Sequence, residues 1–96
     1  MIGLIATFQV KPGQEDIFED IVRELMAQVK ANEPGALVYQ LFKSPAQEGV
    51  YMIMEQYSSR EALEAHGRTE YMARLGTQMT PCLAGRPHLQ LFDMVE

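Results

Sequence analysis

Hydrophobic and polar positions recur with two different periods along the chain, and these periods predict four strands and two helices. Two-residue alternation predicts strands near residues 2–11, 36–43, 50–57 and 88–95. Apolar residues three and four apart predict helices near residues 14–31 and 59–83, the first with the stripe Phe18, Ile21, Val22, Leu25 and Val29. The order of elements is therefore β-α-β-β-α-β.

Local signals mark where the elements begin and end. Pro34-Gly35 suits the two centre positions of a type II turn. Ser58 stands three residues before Glu61, which is the spacing of a capping box at the start of a helix. Gly67 can adopt the left-handed conformation that ends a helix, and Thr69 can cap a new one. The second helix is therefore expected in two segments.

This order of elements predicts an α+β fold of the ferredoxin-like, split βαβ type, in one domain over residues 1–96. Both helices then cover one face of a single antiparallel sheet. The other face should carry an open apolar set, expected as Ile5, Tyr39, Leu41, Ile53, Leu89 and Leu91 or their alternates. An exposed apolar face of this size indicates an interaction surface, and a homodimer packed sheet against sheet is the simplest way to cover it.

Composition narrows the classes of partner. The chain carries 8 basic and 13 acidic residues, a net charge of −5, which disfavours binding to nucleic acid. No apolar run approaches the roughly 20 residues that span a bilayer, so no membrane partner is expected. The first residues contain no basic leader, and Cys82 has no second cysteine to pair with. These features predict a cytoplasmic protein.

The corner between the third strand and the following helix gathers the side chains with chemical potential. Glu55 and Tyr57 end the strand, and His66 and Tyr71 follow on the helical segments. Histidine ordinarily titrates near neutrality, which suits acid–base chemistry. The alternative for His66 is a hydrogen-bonded, partly buried structural residue, and tyrosines more often pack than catalyse. Glu55, an acid within an apolar strand, must be paired, exposed or neutral.

Three stretches of the chain resemble the antibiotic biosynthesis monooxygenase (ABM) family. They are Phe8-Gln9-Val10-Lys11-Pro12-Gly13, then Glu33-Pro34-Gly35-x-Leu37-x-Tyr39, then Glu55-x-Tyr57 with Glu61-Ala62-Leu63-x-x-His66 and Thr69-x-Tyr71-Met72. The resemblance implies a dimeric α+β barrel built from two ferredoxin-like sheets. It is greatest to quinol monooxygenases and to isomerase-like proteins that process phosphorylated autoinducer-2. Tyr57 stands where members often have Trp, and the absence of Trp argues against the haem-degrading branch.

The leading function implied by this resemblance is cofactor-independent monooxygenation of a small phenol, quinol or anthrone, with dioxygen as the second substrate. The resemblance implies His66, Tyr57 and Tyr71 as catalytic residues. The residues expected to bind substrate are Phe8, Tyr39, Met52, Met54, Glu55 and Met72. No cofactor is implied, and no metal is expected because His66, His88 and Cys82 lack the spacing of a zinc site.

Two other functions stay open. One is an isomerase of a small phosphorylated ketone, in which His66 moves a proton. The other is a non-catalytic dimeric module that binds a small molecule. A pocket edged by Arg60, Arg68 or Arg86 favours a phosphorylated ligand, whereas a dry lining of Met, Tyr and Phe favours an aromatic one.

Overall fold

A four-stranded antiparallel sheet forms one layer of the protein, and the helices form the other. In the computed structural model, which describes residues 1–96, the strands are β1 (Ile2–Gln9), β2 (Ala36–Lys43), β3 (Val50–Tyr57) and β4 (His88–Asp93). The helices are α1 (Glu15–Asn32), α2 (Arg60–Gly67) and α3 (Glu70–Met79), followed by a 3-10 turn at Thr80–Cys82. This order confirms the predicted α+β, ferredoxin-like fold. None of the three helices combines the length and the apolar character that crossing a bilayer requires.

The strand order is β2-β3-β1-β4, with every neighbouring pair antiparallel. Ala6 on the central strand β1 lies between Ile53 of β3 and Leu89 of β4. Directly paired residues of antiparallel strands project from the same face of a sheet. The register therefore sorts every strand residue onto one of two faces.

The core lies between α1 and the face of the sheet that the helices cover. Phe18, Val22 and Leu25 on the predicted α1 stripe are fully buried. The ring of Phe18 lies 5.4 Å from that of Phe8 on β1 and 4.9 Å from that of Tyr51 on β3. Burial of aromatic side chains at these distances makes this contact a main source of stability.

Two element ends differ from the prediction. Strand β1 stops at Gln9 instead of residue 11, because Val10 forms an isolated bridge to Leu83 and leaves the ladder. Strand β4 ends at Asp93 instead of residue 95.

The predicted break of the second helix is present, but two of its signals act differently. Ser59, not Ser58, caps α2, and its hydroxyl accepts a hydrogen bond from the Ala62 N–H at 3.1 Å. Gly67 does not adopt a positive φ, which occurs only at Gly13 and Gly49. Thr69 caps α3 as predicted, since its hydroxyl accepts from the Met72 N–H at 3.3 Å. Thr69 therefore makes the break without a left-handed glycine.

Most of the residues named for the open face lie on the other face of the sheet, and their alternates take their place. Of the expected set, only Ile5 lies there. The residues that face the helix side are Tyr39, Leu41, Ile53, Leu89 and Leu91, as their partners on β1 and β3 require. The open face instead carries the exposed side chains of Val38, Phe42, Met54 and Phe92. An open apolar face exists as expected, but it is formed by the alternate residues of each strand.

Candidate active site

A cavity of about 570 Å³ lies between the helix-covered face of the sheet and helices α2 and α3. Hydrophobic residues make up 11 of the 18 that line it, including Leu4, Ala6, Phe8, Ile53, Leu63 and Met72. Phe8 and Met72, two of the predicted substrate contacts, are therefore in its wall. A cavity of this size and lining suits a small, mainly apolar ligand.

Three polar side chains meet at one end of the cavity. His66, Tyr39 and Glu55 all line it. The imidazole of His66 lies 5.2 Å from the ring of Tyr39 and 5.6 Å from the ring of Tyr57, measured between centroids. His66 and Glu55 are both buried. The sequence places these residues apart, on β2, β3 and α2, and the fold brings them together.

Glu33 is the hydrogen-bond partner of His66. The Nδ1 atom of His66 lies 3.0 Å from Oε1 and 3.1 Å from Oε2 of Glu33, and only 7% and 11% of the two side chains are exposed. A carboxylate only accepts hydrogen bonds, so Nδ1 carries the hydrogen in this pair. The second nitrogen, Nε2, makes no hydrogen bond within the chain and is free to accept a proton from a ligand.

A close approach between two backbone segments sets up the Glu33–His66 pair. Glu33 follows the last residue of α1, and its carbonyl accepts from the Ala36 N–H at 3.0 Å. The next turn residue, Gly35, accepts a hydrogen bond from the Ser58 N–H at 2.8 Å. A Cβ on Gly35 would lie 2.8 Å from the Cβ of Ala62, which is one helical turn before His66. The glycine therefore lets this turn contact α2, and the contact places Glu33 beside His66.

This contact corrects the predicted role of Gly35. A type II turn requires a positive φ at its third residue, and Gly35 does not have one. Glycine is needed at this position because of the space that Ala62 and Ser58 occupy, not because of backbone conformation.

We expect Gly35→Ala to lower the free energy of unfolding by about 1–3 kcal/mol, since overpacking at a backbone contact forces neighbouring segments to move. Urea denaturation followed by circular dichroism measures this change. Gly67→Ala is the matched control, because a Cβ there meets nothing within 4 Å, and its stability should stay near that of the wild type. Equal stability of Gly35→Ala and the wild type would contradict the proposed contact.

Glu55 and Tyr57 form a second buried pair. The Tyr57 hydroxyl donates to Oε1 of Glu55 at 2.6 Å. Burial raises the pKa of Glu55, although the Tyr57 hydrogen bond and nearby His66 oppose the shift. Burial, together with the neighbouring Glu55 carboxylate, raises the pKa of both Tyr39 and Tyr57 well above the ordinary value of 10.0. Both hydroxyls therefore keep their protons at neutral pH and act as hydrogen-bond donors.

Tyr71 does not line the cavity. Its hydroxyl donates to Oε2 of Glu33, and with Glu33 and Thr69 it borders a separate shallow depression on the surface. Burial and the hydrogen bond to Glu33 raise the pKa of Tyr71 to about 12. The structure thus connects Tyr71 to His66 through Glu33, one residue further from the cavity than the sequence suggested.

Met52 and Met54 do not lie at the cavity, contrary to the expectation that they line it. They pair with Thr7 and Ile5 of β1 and project from the open face of the sheet. The alternation of β3 directs Ile53 and Glu55 to the cavity, so their neighbours point away from it.

The model of the family described as antibiotic biosynthesis monooxygenase matches residues 1–77 of the chain. The chain belongs to the ABM family. No curated protein matches it significantly.

Solved structures agree with ABM membership. A candidate antibiotic biosynthesis monooxygenase from Caulobacter crescentus CB15 is 47% identical, with a TM-score of 0.96, and the match covers 99% of this chain and 90% of that one. A second antibiotic biosynthesis monooxygenase structure is 30% identical, with a TM-score of 0.91 and full coverage of both chains. A protein from Bacteroides thetaiotaomicron VPI-5482, described as a possible oxidoreductase, is 25% identical with a TM-score of 0.89, covering 97% and 96% of the two chains.

Sequence reasoning missed Glu33 as a site residue of this ABM chain. The Glu-Pro-Gly stretch contributed to the family resemblance, but Glu33 and His66 are 33 residues apart. An acidic residue immediately after a helix, followed by a Pro-Gly turn, is an available signal. Only the folded contact between Gly35 and α2 shows which side chain that acid meets.

Proposed function

We propose that this ABM protein is a cofactor-independent monooxygenase that oxidises a small phenol, quinol or anthrone. The observation that carries the proposal is the Glu33–His66 pair at the polar end of a largely apolar cavity. The largely apolar lining can hold an aromatic ring, and His66 offers an unpartnered nitrogen beside it. Those are the two requirements for removing a phenolic proton at neutral pH.

Proton removal is the first step of the proposed reaction. A phenol or quinol donates the proton of its hydroxyl to Nε2 of His66. An anthrone donates the hydroxyl proton of its enol tautomer to the same atom. Glu33 accepts a hydrogen bond from Nδ1 and stabilises the imidazolium that forms. The hydroxyl of Tyr39 borders the same space and can donate a hydrogen bond to the substrate anion.

The deprotonated substrate then reacts with dioxygen. One electron passes from the substrate anion to dioxygen, and the two radicals combine to form a carbon–oxygen bond. Loss of water from the resulting peroxide leaves one oxygen atom in the product as a carbonyl and the other in water. The substrate supplies all four electrons that dioxygen accepts, so the balance needs no external reductant.

Two alternatives make different demands on the cavity. An isomerase of a phosphorylated ketone needs cationic residues for the phosphate. Of the three arginines considered, only Arg86 lines the cavity, and its lining is mainly apolar. This composition favours an aromatic substrate over a sugar-like one. A binding module without catalysis would show ligand binding and no turnover.

Oxygen uptake tests the proposal directly. The protein, prepared without added metal or flavin, is incubated with a panel of quinols and anthrones in an oxygen-electrode assay. We expect uptake with at least one of them, with a quinone product that contains oxygen from ¹⁸O₂. No uptake with any member of the panel would contradict monooxygenase activity and favour the isomerase or the binding module.

Glu33→Gln should lower kcat about 10–100-fold, because a hydrogen bond to a charged group contributes about 1.5–3 kcal/mol. The glutamine amide also permits the other tautomer of His66, which NMR of its ring nitrogens can detect. Glu61→Gln on the exposed side of α2 is the matched control and should keep wild-type kcat. An unchanged kcat in Glu33→Gln would remove Glu33 from the mechanism.

We also propose that the enzyme acts as a cytoplasmic homodimer. Cys82 is a buried free thiol, as expected for a protein that folds in a reducing compartment. The open apolar face of the sheet supports the dimer, whose test is given in the Discussion.

A further inference from the structure

Arg86 brings the only permanently cationic side chain to the lining of the cavity. It lies in the segment between the 3-10 turn and β4. The titratable groups His66, Glu55 and Tyr39 are gathered on β2, β3 and α2, and the Thr80 hydroxyl lies at the 3-10 turn. The cavity is therefore polar at two separate places, with apolar wall between them.

The sheet fixes the backbone on both sides of Arg86. On one side, the Ala84 N–H donates to the Gln9 carbonyl at 2.8 Å. On the other side, His88 pairs with Thr7 as the first residue of β4. Only three residues, Gly85 to Pro87, connect these anchors, and the proline ring restricts the backbone further. The backbone at Arg86 is therefore held beside the cavity that this residue lines.

Arg86 has no partner within the chain. Arg23 and Arg74 each form two ion pairs with acidic residues, whereas Arg86 forms neither an ion pair nor a side-chain hydrogen bond. Arg60 and Arg68 are unpaired as well, but only Arg86 lines the cavity. Its five N–H donors are free to bind an anion.

The register of the sheet separates Arg86 from the polar end. On the central strand β1, Leu4 pairs with Glu55 of β3 and Thr7 pairs with His88 of β4. Leu4 and Thr7 are three residues apart, so Glu55 and His88 lie about 10 Å apart along the strands at ~3.3 Å per residue. Arg86 is two residues beyond His88. A ligand anion bound by Arg86 would thus lie far from the Glu55 carboxyl and would leave the other end of the ligand beside His66.

We propose that the cavity binds an aromatic compound with a hydroxyl at one end and an anionic group, carboxylate or phosphate, at the other, and that Arg86 binds the anionic group. The part of this proposal that places the hydroxyl at His66 rests on the proposed function. The part that places the anion at Arg86 rests on the cavity and the unpaired guanidinium alone.

Binding of matched probes tests the anion subsite. The probes are 6-hydroxy-2-naphthoate, 2-naphthyl phosphate and neutral 2-naphthol, with dissociation constants measured by titration calorimetry under nitrogen. We expect the wild type to bind at least one of the two anions about tenfold or more tightly than naphthol, as a charge-assisted hydrogen bond provides. The anion that binds more tightly identifies the group.

Arg86→Gln should abolish this preference while leaving the dissociation constant for 2-naphthol unchanged. Arg60→Gln is the control, because Arg60 is also exposed and unpaired but does not line the cavity, and it should keep the preference. Equal binding of all three probes by the wild type, or a preference that survives Arg86→Gln, would overturn the proposal. Absence of oxygen uptake with intact anion binding would overturn the monooxygenase function and leave the subsite standing.

Discussion

Replacing His66 with alanine should lower turnover by about 10²–10⁴-fold, the usual effect of losing a general base. A phenolic hydroxyl loses its proton near pH 10 in water, taking tyrosine as a guide, so little phenolate is present at neutral pH without a base. Of the other titratable groups at this end of the cavity, Tyr39 keeps its proton because burial raises its pKa, and Glu55 already accepts a hydrogen bond from the Tyr57 hydroxyl. Oxygen uptake with the best substrate of the panel measures the loss.

Three controls separate catalysis from folding in that experiment. Circular dichroism should show an intact fold for His66→Ala. His88→Ala, the same change at the other histidine of the chain, should keep wild-type turnover, because His88 is exposed on β4 and does not line the cavity. Added imidazole should restore part of the activity of His66→Ala. If His66→Ala turns over substrate at the wild-type rate, His66 is structural and the site assignment fails.

Periodicity was enough to predict the elements of this fold. The α1 stripe of Phe18, Val22 and Leu25 is buried as the helical spacing requires. Alternation likewise located β2 and β3 with the observed bounds. Local signals were less reliable where two adjacent residues can both cap a helix, as with Ser58 and Ser59 at the start of α2. Whichever hydroxyl reaches a free N–H makes the cap, and sequence spacing alone does not decide between them.

The sequence could not assign the two faces of the sheet. Both alternating sets of β3 contain large side chains, with Tyr51, Ile53 and Tyr57 in one and Met52 and Met54 in the other. Alternation separates the two sets but does not say which one the helices cover. That choice depends on long-range pairing with β1 and on contact with α1. The cavity lining and the open face were misassigned together for this reason.

The Glu33–His66 pair was beyond sequence reasoning for a related cause. Its geometry depends on the contact of Gly35 with Ala62, a contact between the α1–β2 turn and α2. A contact of this kind requires both segments to be placed by the sheet first. Sequence spacing reports only neighbours within one element.

The corrected open face makes the dimer testable. Val38 and Phe42 on β2, Met54 on β3 and Phe92 on β4 are each at least 40% exposed there, with Ile5 on β1 between β3 and β4. Four apolar side chains spread across the whole width of a sheet are an unusual surface for a monomer. A second copy presents the same surface and covers it by symmetry. We propose an interface that buries more than about 2000 Å² in total.

Met54→Asp should dissociate the dimer and leave a folded monomer. In the dimer the new carboxylate would be buried without a partner, which costs about 3–5 kcal/mol and raises the dissociation constant more than 10²-fold. In the monomer the same carboxylate is solvated, since Met54 is 41% exposed. Ile53→Asp, one residue earlier, should instead unfold the chain, because Ile53 is 1% exposed and faces the core. Sedimentation at micromolar concentration with circular dichroism distinguishes these outcomes.

Ile17→Asp provides the matched control for the dimer experiment. Ile17 is 52% exposed on α1, on the other side of the molecule, so the same introduced charge should leave both the dimer and the fold unchanged. A wild type that sediments as a monomer, or a Met54→Asp variant that remains dimeric, would remove the open face as the interface. A dimer lost in Met54→Asp but retained in Ile17→Asp assigns the interface to the open face, because both variants replace an exposed apolar side chain with the same charge on different surfaces.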